Sequence, residues 1–128
     1  MTPRLLLPVL VILTAAVPAR AQQLVRGPYL QQVKADSAIV VFDLDGEYGA
    51  EVRVGEGSGE YDRTFLSDST AVHHEVALTA LEADTVYRYG VFVEGVELTA
   101  ELELASAPAK DTGFTFIVYG DTRSGHDE

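Results

Sequence analysis

The sequence has 128 residues, enough for about one domain, and it carries 9 Lys and Arg against 20 Asp and Glu. The formal net charge of −11 argues against nucleic acid as a partner, because phosphate backbones are bound by cationic side chains. Cysteine is absent, which excludes disulfide bonds, thiolate zinc sites and a cysteine nucleophile. The hydrophobic fraction of 47% is typical of a globular protein.

The first 21 residues, Met1–Ala21, have the composition of a secretory signal peptide. Arg4 supplies the positive start, an apolar stretch covers residues 5–17, and Ala19-Arg20-Ala21 has the small-x-small pattern that precedes cleavage. The apolar stretch is shorter than the roughly 20 residues that a membrane-spanning helix needs. We therefore expect a secreted or periplasmic protein with no stable membrane anchor. An uncleaved membrane anchor is the alternative.

Residues 24–104 show apolar alternation at period two and no helical period, which predicts a series of short β-strands. Residues 96–104 alternate apolar with mainly acidic side chains and predict one half-buried antiparallel strand. Four further runs predict strands at Ser37–Asp43, Glu51–Val54, Val72–Leu78 and Tyr87–Val93. Turn residues separate these runs at Asp45-Gly46, Gly55–Gly59 and Glu94-Gly95. About seven short strands in about 80 residues predict an all-β antiparallel sandwich.

One segment, Leu81–Tyr89, resembles the corner between the fifth and sixth strands of fibronectin type III domains. In such a corner the leucine fills the core, and the hydroxyl of the tyrosine six residues later bonds to a nearby backbone group. The resemblance implies a fibronectin type III-like sandwich with Leu81 and Tyr87 in these roles. An ordinary core aromatic is the alternative for Tyr87.

A second unit is predicted near the end of the sequence. After a polar linker, Phe114–Tyr119 is apolar without alternation, which is typical of a single strand buried on both faces, as in α/β domains. Gly120-Asp121 follows at the position where ligands bind beyond the carboxyl ends of strands. Asp121 is therefore a candidate metal ligand or catalytic carboxylate. A turn aspartate that caps a helix is the alternative.

These features together resemble the purple acid phosphatases and their bacterial metallophosphoesterase relatives. The resemblance rests on the signal peptide, the segment RGPYLQQV at Arg26–Val33, the corner, and the strand that ends in Gly-Asp. It implies the N-terminal fragment of a secreted phosphoester hydrolase, with residues 1–21 as signal peptide, 22–107 as fibronectin-like domain and 108–128 as the start of a truncated metallophosphoesterase domain.

By this resemblance, Asp121 would bind one metal of a dinuclear iron, zinc or manganese centre in a longer parent protein. The substrate would be a small phosphoester, hydrolysed by the two metals, and we expect the present chain alone to be inactive. Arg123 stands where many relatives have histidine and the purple enzymes usually have glycine. A phosphate contact is the hypothesis for Arg123, and a solvated arginine is the alternative.

The three histidines give no clear indication of a metal site. His126 is either a substrate-site acid or a residue in the first turn of a helix. His73 and His74 are neighbours in a strand, so their side chains should point to opposite faces and make a poor metal pair. The alternative function is a secreted fibronectin-like module for binding or adhesion, without catalysis.

Overall fold

The chain is described here by a computed structural model, which covers residues 21–57, 60–113, 115 and 117–118. Within these residues the chain forms eight β-strands and no helix. In chain order the strands are β1 (Leu24–Gln31), β2 (Ala38–Tyr48), β3 (Glu51–Glu56), β4 (Arg63–Leu66), β5 (Ala71–Leu78), β6 (Val86–Val93), β7 (Val96–Glu97) and β8 (Leu102–Ala105). The predicted all-β class is confirmed.

The strands form two antiparallel sheets. The smaller sheet has the order β1-β2-β5, and the larger sheet has the order β4-β3-β6, with β7 and β8 both paired to the far edge of β6. Each sheet presents one apolar face, which must be buried to stabilise the fold. The chain is therefore a two-layer β-sandwich, as the alternating pattern predicts.

The core lies between the two inner faces. The smaller sheet contributes alternate residues of β2 and β5, and the larger sheet contributes alternate residues of β3 and β6. The cluster comprises Ala38, Val40, Phe42, Leu44, Ala50, Val52, Val54, Val76, Leu78, Leu81, Tyr87, Tyr89, Val91, Val93 and Leu104. Burial of these side chains provides the main driving force for folding, because the sandwich has no disulfide bond to support it.

The corner before β6 has the geometry that the sequence predicts. Leu81 is buried in the core, and the Tyr87 hydroxyl accepts a hydrogen bond from the backbone N–H of Glu82 at 2.7 Å. Tyr87 itself is fully buried. The alternative of a plain core aromatic is wrong, because the hydroxyl supplies the corner with a specific bond.

Residues 96–104 do not form the single strand that their alternation predicts. They divide into β7 and β8, and Val96 is exposed despite its apolar side chain. Between these strands, Leu98 donates its backbone N–H to Val91 O, and the Thr99 hydroxyl accepts the N–H of Val91. These bonds replace the regular ladder, so the segment is irregular although its side-chain pattern is that of a strand.

The turn predicted at Asp45-Gly46 is also absent, because β2 continues through it to Tyr48. Pairing with β5 is irregular between Asp43 and Tyr48, and Asp45 instead exchanges hydrogen bonds with the backbone of Gln23. These bonds hold the segment extended.

The predicted burial of Phe114–Tyr119 does not hold for the members that the structure describes. Thr115, Ile117 and Val118 lie outside the eight strands, and all three are exposed. Among the described residues, no strand pairs with Thr115, Ile117 or Val118. The domain boundaries at residues 21/22 and 107/108 stay predictions.

Candidate functional site

The outer face of the larger sheet carries an unusual set of side chains. Strand pairing places Phe92 of β6 opposite Glu51 of β3 and opposite Glu97 of β7. Gly90 of β6 lies opposite Arg53 of β3. Because residues i and i+2 of a strand share a face, aromatic, acidic and cationic groups surround a glycine at the centre of this face.

Two glycines bring the β3–β4 connection down onto the sheet. A Cβ atom at Gly55 would lie 2.6 Å from the carbonyl oxygen of Glu60, and one at Gly90 would lie 3.0 Å from the Tyr61 hydroxyl. The contact at Gly55 is with the backbone and leaves no room for a side chain, whereas the contact at Gly90 is with the end of a side chain, which would have to shift. The backbone N–H of Asp62 then bonds to Val54 O at 3.0 Å and holds the connection in place.

Tyr61 is fixed over the sheet by this arrangement. Its hydroxyl donates to Glu97 Oε1 at 3.0 Å, and its ring meets the Phe92 ring edge-on, with centroids 5.7 Å apart. Burial, followed by the hydrogen bond and negative charge of Glu97, raises the pKa of Tyr61 to about 12. Tyr61 therefore stays protonated and acts as a hydrogen-bond donor rather than as a base.

Each of the two arginines on this face stacks against an aromatic ring. The Arg53 guanidinium lies 4.1 Å from the centroid of Phe92 and also pairs with Glu51. The Arg88 guanidinium lies 5.7 Å from the centroid of Tyr61 and pairs with Glu101. Such cation–π contacts are strongest when the cation is partly desolvated, as the mostly buried Arg88 is.

Three recesses run across this face, with volumes of about 340, 430 and 310 Å³. The first and second share Phe92, and the second and third share Arg88, so the three recesses are neighbours on this face. Their charged lining consists of the two arginines and six glutamates, namely Glu51, Glu60, Glu94, Glu97, Glu101 and Glu103. We call the three recesses, with Tyr61 and Phe92, the acidic groove.

A smaller charged cluster lies on the outer face of the other sheet. Asp43 is 2.8 Å from Arg26 Nε and 2.6 Å from His73 Nδ1, and His73 Nε2 is 3.5 Å from Glu75. The bond from Asp43, and then that from Glu75, raises the pKa of His73. The bond from His73 lowers the pKa of Asp43. The cluster is largely exposed, so it resembles a surface ion-pair network more than a binding site.

The two adjacent histidines lie as the strand pattern predicts. His73 points outward into this cluster, whereas His74 is buried against Phe42, with ring centroids 5.0 Å apart. His74 Nε2 lies 2.8 Å from Ala71 O, where a protonated Nε2 satisfies the carbonyl. The prediction that their side chains point to opposite faces is confirmed.

The residues predicted for phosphoester chemistry lie outside the described part of the chain. This applies to Asp121, Arg123 and His126 alike. Among the described residues, no group of three or more His, Cys, Asp or Glu side chains is arranged to hold a metal ion. No helix in the same part of the chain has the length and apolar character needed to cross a membrane.

Sequence comparison assigns the sandwich to one family. The model described as "Domain of unknown function (DUF7800)" matches residues 21–111, which include all eight strands. No curated protein matches the sequence.

Comparison with solved structures supports the fold. The sensor domain of the anti-sigma factor RsgI4 from Pseudobacteroides cellulosolvens matches with a TM-score of 0.52 and 11% identity, over 76% of this chain and 98% of that one. A fibronectin type III domain from the human protein KIAA0970 matches with a TM-score of 0.53 and 11% identity, over 81% of this chain and 85% of that one. At these identities the likeness concerns the fold alone, and it confirms a fibronectin type III-like sandwich.

The resemblance to purple acid phosphatases and metallophosphoesterases is wrong, and with it the predicted hydrolase function. The matching family and the similar structures give no support to a phosphoesterase, an acid phosphatase or a metal-binding protein. Two of the segments behind the resemblance have structural roles instead. Arg26–Gln31 lies within the edge strand β1, and Leu81–Tyr87 closes a corner that belongs to the sandwich.

Sequence reasoning missed the acidic groove. Its central residue, Tyr61, lies in a connection with no strand pattern, and its partner Glu97 is 36 residues away. Strand β4, which follows Tyr61, was not predicted either. A usable signal existed in Gly90, since a glycine inside an otherwise apolar strand indicates a close approach by another backbone or side chain.

Proposed function

The chain belongs to the DUF7800 family of domains of unknown function, and we propose that it acts as a non-catalytic binding module of an exported protein. The leader-like segment Met1–Ala21 supports export, to the periplasm or the exterior. The RsgI4 domain, which has a comparable sandwich, is a sensor domain of an anti-sigma factor.

The observation that carries this proposal is the acidic groove. Its aromatic and charged side chains are held by one another before any ligand arrives, through the Tyr61–Glu97 bond and the stacked pairs Arg53–Phe92 and Arg88–Tyr61. Preorganised side chains reduce the entropy that binding costs. The groove also lies on the rigid strands of a sheet, which position binding residues better than free loops do.

A site-specific cross-linking experiment tests the binding role. The chain has no cysteine, so Glu60→Cys introduces a single thiol at the groove, to which a photoactivatable group can be attached. Glu47→Cys is the matched control, because Glu47 is exposed on β2 and lines none of the three recesses. The labelled proteins are added to the envelope and extracellular fractions of the source cells.

We expect a discrete adduct from the Glu60 position that unlabelled chain competes away, and no such adduct from the Glu47 position. Equal cross-linking at both positions, or none at either, would contradict a binding role for this face. Export is tested separately by mass spectrometry of the chain recovered outside the cytoplasm, where we expect Gln22 as the first residue. A recovered chain that still carried Met1–Ala21 would contradict cleavage.

A further inference from the structure

We propose that the acidic groove binds an extended, Lys- or Arg-rich peptide segment of a partner protein, an inference that rests on the binding role proposed above. The groove follows the outer face of β6 from Val86 to Phe92. Six residue steps at about 3.3 Å each make a length of about 20 Å, which fits a peptide of about six residues in extended form.

The charge of the groove selects a cationic partner. Its two arginines are already neutralised, Arg53 by Glu51 and Arg88 by Glu101. Within the described part of the chain, no cationic side chain pairs with the remaining four glutamates, Glu60, Glu94, Glu97 and Glu103. Complementary charge across an interface speeds association and excludes wrong partners, so anionic polymers are rejected here.

The face also shows how it would hold a guanidinium group. Arg53 lies between the Phe92 ring and the Glu51 carboxylate, and Arg88 combines the Tyr61 ring with Glu101 in the same manner. The chain therefore already uses this surface to bind arginine side chains of its own. A partner arginine that reaches Glu97 meets a carboxylate beside the Tyr61 and Phe92 rings, and one that reaches Glu103 meets a carboxylate alone.

Both ends of the groove offer an apolar contact. Leu66 lines the first recess and is 71% exposed, and Val86 lines the third recess and is 53% exposed. Exposed aliphatic side chains at the margins of a polar groove are typical of interaction sites. The partner segment therefore has basic residues at alternate positions in its centre and apolar residues at its ends.

Three synthetic seven-residue peptides test this inference against the full-length chain. All have valine at both ends, and the three alternate central positions carry arginine, glutamine or glutamate. Binding is followed by amide NMR shifts of the ¹⁵N-labelled protein. We expect the arginine peptide to change the amide chemical shifts of Gly90 and Phe92 but not that of Val41 in the other sheet. The glutamine peptide should bind at least tenfold more weakly, and the glutamate peptide should cause no shift.

Two triple variants separate local contacts from overall charge. Glu60→Gln, Glu97→Gln and Glu103→Gln together remove charge from the groove while the amide at position 97 can still accept the Tyr61 bond. Glu47→Gln, Glu75→Gln and Glu82→Gln remove the same charge elsewhere. With three exposed ion pairs lost, we expect the first variant to bind the arginine peptide about tenfold more weakly. The second should bind nearly as the wild type does.

The outcomes distinguish this inference from the binding role itself. Equal affinity for the arginine and glutamine peptides, equal losses in the two triple variants, or no shift at 1 mM peptide overturns the basic-partner inference. The inference is also overturned if a neutral oligosaccharide such as maltohexaose changes the amide chemical shifts of Gly90 and Phe92 and the arginine peptide does not. In each case the cross-linking result at position 60 decides the binding role independently.

Discussion

The Tyr87 hydroxyl lies 2.7 Å from the backbone nitrogen of Glu82 and accepts its hydrogen bond inside the corner that precedes β6. Tyr87→Phe removes only this acceptor and leaves the Glu82 N–H without its partner. We expect the free energy of unfolding to fall by about 1–2 kcal/mol, as measured by urea denaturation. Tyr29→Phe is the control, because Tyr29 is partly exposed on β1. Equal effects of the two substitutions would show that the corner bond adds no stability.

The same corner should be sensitive to cavity formation. Leu81 is 6% exposed within the core, whereas Leu66 is 71% exposed at the end of β4. We expect Leu81→Ala to cost about 2–5 kcal/mol, because it leaves a void in the core. The identical substitution Leu66→Ala should stay within about 0.5 kcal/mol of the wild type. Chemical denaturation of both variants checks the difference, and comparable losses would place Leu81 outside the core.

Gly90→Ala should displace Tyr61. The added methyl group would lie 2.6 Å from Glu97 Oε1 and 3.0 Å from the Tyr61 hydroxyl, so it would break the bond between them. We expect the pKa of Tyr61 to fall from about 12 toward its ordinary value of 10, because the burial that raises it is reduced. A pH titration of ¹³C-labelled tyrosine by NMR measures this pKa, with Tyr61→Phe to assign the signal.

Gly49→Ala is the matched control for this substitution, since a Cβ atom at Gly49 would have no heavy atom within 4 Å. It should leave the tyrosine titration unchanged. A Tyr61 pKa that stayed near 12 in the Gly90 variant would show that Gly90 is not needed to seat Tyr61.

The Asp43–His73 pair predicts a pH-dependent stability. The pKa of His73 is raised in the folded chain, so its contribution is complete below its ordinary value of 6.5 and fades as pH rises through the higher folded value. The pKa of Asp43 is lowered, so its contribution is complete above 3.8 and fades as pH falls through the lower folded value. The pair therefore stabilises the fold most between pH 3.8 and pH 6.5.

Thermal unfolding of the wild type and His73→Gln at pH 3, 6 and 9 checks this expectation. The excess in Tm of the wild type over the variant should be greatest at pH 6 and smaller at pH 9. When Asp43→Asn is also present, the excess in Tm of the chain with His73 over the chain with His73→Gln should differ less between pH 6 and pH 9. If the Tm difference between wild type and His73→Gln were the same at all three pH values, the pair would have no part in stability.

Much of the fold could be predicted from the sequence, because strand alternation and corner chemistry are local. Glu51–Val54 buries alternate residues as its pattern requires. The predicted inner residues of Tyr87–Val93 lie in the core, although Gly90 and Phe92 on the opposite face are buried as well. The prediction of one strand over residues 96–104 was wrong, because the hydrogen bonds of Val91 with Leu98 and Thr99 override the pattern. A pattern of alternating apolar and polar residues does not reveal such bonds.

The candidate site was much less predictable. Tyr61 meets Phe92, Glu97 and Arg88 only because the β3–β4 connection folds back over two neighbouring strands. That path depends on the space above Gly55 and Gly90. These two glycines are separated in the sequence by strands β4 and β5. The predicted phosphoesterase function was wrong for a different reason, because segments such as Leu81–Tyr87 identify a sandwich and not an enzyme.

Tyr61 lies on a connection rather than on a strand. The residues that recognise a ligand can therefore change in evolution without a change in the residues that determine the fold. The second of the three recesses owes its shape to a short stretch around residues 60–62, laid across the outer face of the larger sheet. Insertions, deletions and substitutions in this stretch can therefore remodel the bound surface while the core packing stays intact. For protein engineering, this connection is the natural place to randomise when the sandwich is used as a scaffold for new ligands.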